Sequence, residues 1–174
     1  ALSLILAASA FAQFSGAYTF GGSTTVAPIA YAAIEQFQKD NPGVKISYEA
    51  TGSGAGLTAL GADQISLAGS SADLSADQLK TLVPTVIALD GLTPVVNKSV
   101  KLSNISLESL AAIFTGKITN WKDVGGQDAK IVVINRDESS GTYKSFWEIV
   151  CQKAYGKTIA YVKDALGAKE NGEV

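Results

Sequence analysis

The chain has 174 residues, of which 47% are hydrophobic and 17% are charged. This composition excludes a disordered chain and is typical of a globular protein with one domain or two small lobes. The formal net charge of −2 argues against nucleic-acid binding, which favours a basic surface. Histidine is absent, which excludes Ser-His-Asp and Cys-His catalysis and most zinc sites. Cys151 is the single cysteine, and its helical spacing with Trp147 favours a core position over a nucleophile.

The first twelve residues are apolar and small, which is typical of the hydrophobic region of a secretory signal. The triplet Ala10-Phe11-Ala12 fits the small-x-small rule for cleavage before Gln13. Because no basic region or Met precedes this run, we expect the chain to start inside a longer gene product. No cysteine follows the run, so we expect a secreted, periplasmic protein without a lipid anchor. A buried helix and a retained assembly segment are the alternatives for residues 1–12.

Strand and helix patterns alternate along the rest of the chain, which predicts an α/β fold with ligands beyond the carboxyl ends of the strands. We place the crossing between two lobes near residues 88–94, so that lobe 1 is 18–90 and lobe 2 is 91–174. The predicted elements, in order, are strand 18–20, helix 23–40, strand 44–50, a helix ending near residue 60, strand 65–68, helix 75–82, strand 83–89, helix 106–114, buried strand 131–134 and helix 143–150.

Three predicted turns share one plan, in which an extended segment leads into Ser or Thr with Gly and then into a helix. Each would present hydroxyls and unpaired backbone N–H groups at the positive end of a helix. Arg136, the only arginine, precedes the third turn, and its planar guanidinium suits a tetrahedral oxyanion. If the turns converge, they form a cage of neutral donors around one cation. The turns are Ser23-Thr24-Thr25, Ser53-Gly54 and Ser140-Gly141-Thr142.

The third turn also has a purely structural interpretation. In it, Ser140 and Thr142 only cap the helix, and Arg136 forms an ion pair with Asp137 or Glu138. Enzymatic readings fit less well. Gly156-Lys157-Thr158 lacks the first P-loop glycine, and no G-x-S-x-G elbow or histidine would activate a serine as an esterase or phosphatase nucleophile. We therefore expect no catalytic residue, no metal and no cofactor.

Four ordered motifs resemble the periplasmic phosphate-binding proteins of bacterial phosphate ABC transporters, a family with the type II periplasmic-binding-protein fold. The resemblance covers nearly all of residues 18–174. It implies two α/β lobes that close on inorganic phosphate, delivery of phosphate to a permease in the inner membrane, and no reaction of the protein's own. The motifs are Gly22-Ser23-Thr24-Thr25-Val26-Ala27-Pro28-Ile29, Thr51-Gly52-Ser53-Gly54-Ala55-Gly56, Ile113-Phe114-Thr115-Gly116-Lys117-Ile118-Thr119-Asn120-Trp121 and Arg136-Asp137-Glu138-Ser139-Ser140-Gly141-Thr142.

The resemblance also implies a set of phosphate contacts, with one departure at the acidic acceptor. Some relatives place an aspartate in the segment that matches residues 69–73, where this chain has Ser71, with Asp73 two residues on. Ser71 and Asp73 are therefore the candidates for accepting the proton of phosphate. The other implied contacts come from Thr24, Thr25, Ser53, Arg136, Ser140, Gly141 and Thr142.

A second departure is length, because family members continue beyond the position of Val174. We expect that the C-terminal part of the fold is missing from this chain or that a second chain completes it. Two other functions stay open. The same fold could bind another tetrahedral oxyanion, such as sulfate, molybdate or an organic phosphate, or it could serve as a structural or assembly protein.

Overall fold

A computed structural model describes residues 14–174, so the predicted signal segment at 1–12 lies outside the described residues. The described chain forms two parallel β-sheets with helices between their strands. The first sheet has three strands in the order β2-β1-β3, and the second pairs β4 with β5. The predicted α/β class is confirmed. No helix in the described part is long and apolar enough to cross a membrane.

The first sheet is built from two strand-turn-helix units and a short third strand. Its elements are β1 (Gly16–Gly22), α1 (Ala27–Asp40), β2 (Val44–Glu49), α2 (Ser53–Gly61) and β3 (Leu67–Gly69). Helix α1 has its proline in the first turn, where the missing N–H costs little, and it ends at Asp40, just before the stop predicted at Asn41. Because β1 runs parallel to both neighbours, the carboxyl ends of all three strands meet at one edge.

The second half of the chain contains α3 (Leu107–Phe114), β4 (Ile134–Arg136), α4 (Gly141–Phe146), α5 (Lys153–Tyr155) and β5 (Leu166–Ala168). Helix α4 continues through a π-helical turn at Trp147–Gln152 into α5. Short 3₁₀ helices occur at Gln78–Lys80, Trp121–Val124 and Asn171–Glu173.

The hydrophobic core of this half lies where α3 packs against the π-helical turn. Leu110, Ala111 and Val150 form a buried hydrophobic cluster. The Phe114 ring packs at a tilt against the Phe146 ring, with ring centroids 4.5 Å apart, which anchors α4 against α3. Cys151 is fully buried, and burial raises the pKa of its thiol to about 11, so the predicted core position is confirmed.

Three predicted elements differ in the structure. The predicted strand 83–89 is irregular, and Val83 and Leu89 are 93% and 95% exposed. An apolar run becomes a strand only where a neighbouring strand pairs with it, and within residues 14–174 none does. The helix at 75–82 shrinks to one 3₁₀ turn. The buried strand at 131–134 moves to residues 134–136, and Ile134 is 42% exposed. The predicted lobe boundary at residue 90 falls in the irregular stretch between the two sheets and stays a prediction.

Candidate functional site

Ser23 shapes the turn after β1. Its hydroxyl oxygen accepts hydrogen bonds from the backbone N–H groups of Thr25 (3.1 Å) and Val26 (3.2 Å). Its backbone oxygen accepts from the Tyr48 hydroxyl at 2.9 Å, and burial raises the pKa of Tyr48 to about 12. Ser23 is itself 1% exposed. It therefore holds the turn in place, while the partly buried Thr24 side chain reaches the second half of the chain.

Ser53 and Ser71 lie side by side at the ends of β2 and β3. Ser53 is 2% exposed and is the first residue of α2. Its hydroxyl oxygen accepts from the backbone N–H of Ser71 at 3.2 Å, and the two hydroxyl oxygens are 3.3 Å apart. A Cβ atom on Gly141, at the start of α4, would overlap both hydroxyl oxygens. The absence of a side chain at Gly141 thus lets α4 approach both serines.

Arg136 is the last residue of β4 and is 5% exposed. Its Nε donates to the backbone oxygen of Ala168 at 3.2 Å, and Nη2 donates to that of Lys169 at 2.7 Å and to Thr24 Oγ1 at 3.1 Å. Nη1 donates to Asn171 Oδ1. Four of the five guanidinium N–H groups are therefore occupied, which leaves one at Nη1 for a ligand.

The charge of Arg136 has no carboxylate partner among residues 14–174, where all ion pairs are made by lysines. The alternative pairing with Asp137 or Glu138 does not occur. The Asp137 carboxylate instead accepts from the backbone N–H of Ser139 at 2.9 Å and from its hydroxyl at 2.5 Å. The guanidinium is thus buried against neutral acceptors, and an anion would offset the cost of burying this charge.

The remaining predicted residues divide between the site and its surroundings. Ser140 is 3% exposed and caps α4, since its hydroxyl accepts from the Tyr143 N–H at 3.4 Å. Thr142 is partly buried in the first turn of α4. Asp73 is exposed, and its backbone oxygen, not its carboxylate, accepts from Lys144 Nζ at 2.9 Å. Of the two candidate proton acceptors, the structure brings Ser71 and not Asp73 to the site.

Asn171 joins the site without having been predicted. Its Oδ1 accepts from Arg136, and its Nδ2 donates to Thr25 Oγ1 at 3.0 Å. The pairing of Arg136 with Ala168 in the β4–β5 register brings the residues after β5 to the guanidinium. An asparagine near the end of the chain carries no motif, so only this strand pairing could have identified it.

The polar side chains of the site suit an anion. Its polar side chains are hydroxyls, one amide and one guanidinium, and an oxyanion accepts hydrogen bonds from all of these. Within residues 14–174, no cluster of three or more histidine, cysteine, aspartate or glutamate residues could hold a metal ion.

Two curated relatives are phosphate-binding proteins named PstS. The protein from Borreliella burgdorferi is 40% identical over 159 residues, which are 90% of this chain and 57% of that protein. The protein from Bacillus subtilis is 39% identical over 137 residues, 76% of this chain and 45% of that protein. The chain therefore spans about half the length of these curated relatives.

Two solved structures share the fold. One, from Clostridium perfringens, is assigned as a phosphate ABC transporter substrate-binding protein and holds bound phosphate. It matches with a TM-score of 0.82 and 32% identity over 91% of this chain and 64% of that one. An ABC-type phosphate transport receptor from Vibrio cholerae matches with a TM-score of 0.74 and 34% identity over 90% of this chain and 64% of that one.

The family model of the PBP superfamily domain matches residues 7–170. This match covers both sheets and every residue of the site except Asn171. Together with the two solved structures, it confirms the resemblance that the four sequence motifs carry, and the chain belongs to the PBP superfamily.

Proposed function

We propose that the protein binds inorganic phosphate outside the cytoplasmic membrane and delivers it to an ABC-type importer, without chemistry of its own. The observation that carries this proposal is the buried guanidinium of Arg136, which has neutral partners in place of a carboxylate. The relatives include phosphate-binding proteins and a phosphate transport receptor, which supports phosphate as the anion and transport as the role.

Arg136 supplies the charge in this proposal, and the hydroxyls supply the remaining donors. Burial of a guanidinium is costly without a counter-charge, and a bound phosphate supplies that charge at close range. The hydroxyls come from separate turns, which follow β1, β2 and β3 and precede α4. The proposed phosphate contacts are Thr24, Thr25, Ser53, Ser71, Arg136, Ser140, Gly141 and Thr142, while Asp73 lies outside the set.

The proposed mechanism is closure of two lobes around the anion. Several contacts join the part of the chain before residue 90 to the part after it. The Gly54 N–H donates to the backbone oxygen of Ser139 at 3.0 Å, and the Ser145 hydroxyl donates to that of Ser71 at 3.3 Å. One of these contacts involves Ser71 itself and the other the residue after Ser53, and in the proposed mechanism both form as the lobes close.

Titration calorimetry with phosphate tests the binding step, in the full-length protein encoded by the complete reading frame. We expect Arg136→Ala to weaken phosphate binding by more than about 1.5 kcal/mol, the scale of a hydrogen bond to a charged group. Lys98→Ala removes an exposed cation and serves as the control. If titration of the wild-type protein with phosphate gives no heat of binding, the proposal is refuted. If Arg136→Ala binds phosphate with unchanged affinity, Arg136 does not belong to the site.

Binding of sulfate or a similar oxyanion is the second candidate, because a serine stands where some relatives carry an acidic acceptor. A serine hydroxyl can donate as well as accept, so it tolerates an anion without a proton. The same titration with sulfate separates the two candidates. Equal affinity for the two anions would show that the site binds tetrahedral oxyanions in general and does not select phosphate.

A further inference from the structure

We infer that Asn171 is a positioning residue of the anion site, which holds Arg136 and Thr25 so that both donate to the ligand. This inference rests on the proposed phosphate binding and adds a residue that the sequence motifs do not contain. The amide side chain bridges the guanidinium and the Thr25 hydroxyl, which come from the two sheet-containing halves of the chain. It is therefore placed to act on two proposed phosphate contacts at once.

The hydrogen-bonding chemistry fixes the orientation of the amide. A guanidinium has donors and no acceptor, so the Asn171 oxygen must face Arg136 and the Asn171 nitrogen must face Thr25. The nitrogen donates to Thr25 Oγ1 at 3.0 Å. The hydroxyl of Thr25 is thereby the acceptor in this bond, and its own hydrogen remains available for an anion.

The hydroxyl of Thr24 is oriented in the same way, by its hydrogen bond with Arg136. Its Oγ1 accepts from Arg136 Nη2 at 3.1 Å, so its hydrogen is also available. Asn171, Arg136 and the two threonines thus form one network in which each hydroxyl is an acceptor within the protein and a donor toward the ligand. Such an arrangement fits an oxyanion, which only accepts hydrogen bonds when it carries no proton.

The substitution Asn171→Asp would replace the amide donor toward Thr25 by an acceptor, with almost no change in side-chain size. A carboxylate would accept from Arg136 and also from the Thr25 hydroxyl, which would turn that hydrogen away from the ligand. It would also pair with the guanidinium charge and repel the anion. Comparison of Asn171→Asp with Asn171→Ala therefore separates positioning from simple loss of contact.

The fold around position 171 has supports that do not use its side chain. Asn171 is exposed, and the Glu173 carboxylate accepts from the backbone N–H groups of Lys169 (2.6 Å) and Glu170 (3.3 Å). These bonds hold the 3₁₀ helix in both variants, so we expect both variants to fold.

The experiment is calorimetric titration of the full-length protein with inorganic phosphate. We expect Asn171→Ala to weaken binding about tenfold, because it removes one hydrogen bond to the guanidinium. We expect Asn171→Asp to weaken binding at least about a hundredfold, because its carboxylate offsets the guanidinium charge, repels the anion and turns the Thr25 hydrogen away from the ligand. Asn104→Asp makes the same change of charge at an exposed asparagine whose side chain makes none of the described site's hydrogen bonds, and we expect its affinity to stay within about twofold of wild type.

A double-mutant cycle tests whether Asn171 acts through Thr25. If it does, Asn171→Ala in a Thr25→Val background should weaken binding by clearly less than the factor seen in the wild-type background. This cycle remains decisive even if Asn171→Asp fails to fold. If titration of the wild-type protein with phosphate releases or absorbs no heat, the proposed function itself is overturned. Wild-type binding with an unchanged Asn171→Asp affinity, or full additivity in the cycle, would overturn the inference alone.

Discussion

Addition of a single methyl group at Gly141 should weaken anion binding without unfolding the protein. The Cβ atom of Gly141→Ala would overlap the hydroxyl oxygens of Ser53 and Ser71 and lie 3.1 Å from the carbonyl carbon of Ser71. Gly141 opens α4, where alanine is the better helix former by up to about 1 kcal/mol. Local helix propensity therefore favours the variant, and the steric conflict arises where α4 meets the serine pair.

The magnitude follows from the cost of overpacking. A methyl forced into a filled space costs about 1–3 kcal/mol, and separation of α4 from the two serines relieves it. Since closed lobes require that approach in our proposal, the cost should fall on phosphate binding as a loss of roughly 5- to 150-fold in affinity. The ligand-free variant should keep its stability to within about 1 kcal/mol.

Calorimetric titration with phosphate, combined with urea unfolding in its absence, measures both quantities. Gly61→Ala is the matched control, because it adds the same methyl in α2, and outside the adjacent residues and the backbone of its own helix no heavy atom lies within 4 Å of the new Cβ. We expect the control to bind as the wild type does. Equal phosphate affinity in Gly141→Ala and Gly61→Ala would refute the close approach of α4 to the serine pair.

Two further predictions concern Tyr48 and Ser71. Tyr48→Phe removes the hydrogen bond to the Ser23 backbone oxygen and should lower the free energy of unfolding by about 1 kcal/mol in urea titrations near neutral pH. Burial raises the pKa of Tyr48 to about 12, so the folded protein retains the proton where the unfolded chain loses it, and stability should fall as pH rises from 10 to 12. A Tyr48→Phe protein with the same decline would contradict this assignment. Ser71→Asp should lower sulfate affinity at least about tenfold more than phosphate affinity, since a carboxylate accepts a proton that only phosphate can donate. An equal loss of affinity for both anions in calorimetry would contradict this prediction.

Much of the fold could be predicted because each strand-turn-helix unit is local. The glycine-rich turn ahead of Ser53 and the Pro28 position identify the starts of α2 and α1 within a few residues. The apolar run before Arg136 correctly indicates a strand that ends at the guanidinium, although the strand is shorter and more exposed than predicted. Local patterns are sufficient for these features since the residues that determine them lie within one turn of each other.

Strand pairing could not be predicted in the same way. Residues 83–89 have the composition of a buried strand, yet within the described chain they pair with nothing. The position of Asn171 likewise depends on the alignment of Ala168 with Arg136 between β5 and β4. Whether a distant strand pairs with a segment decides both features, and a local sequence pattern does not identify that partner.

The selectivity of the proposed site depends on one pair of hydroxyls. The hydroxyl oxygens of Ser53 and Ser71 are 3.3 Å apart, and either can donate to the other. When Ser71 donates to Ser53, its lone pairs can accept the proton of a phosphate. When Ser53 donates to Ser71, the Ser71 hydrogen can instead reach an unprotonated oxygen of sulfate. Because one rotation of each hydroxyl converts the first arrangement into the second, the serine pair should discriminate less strongly than a carboxylate, which cannot donate.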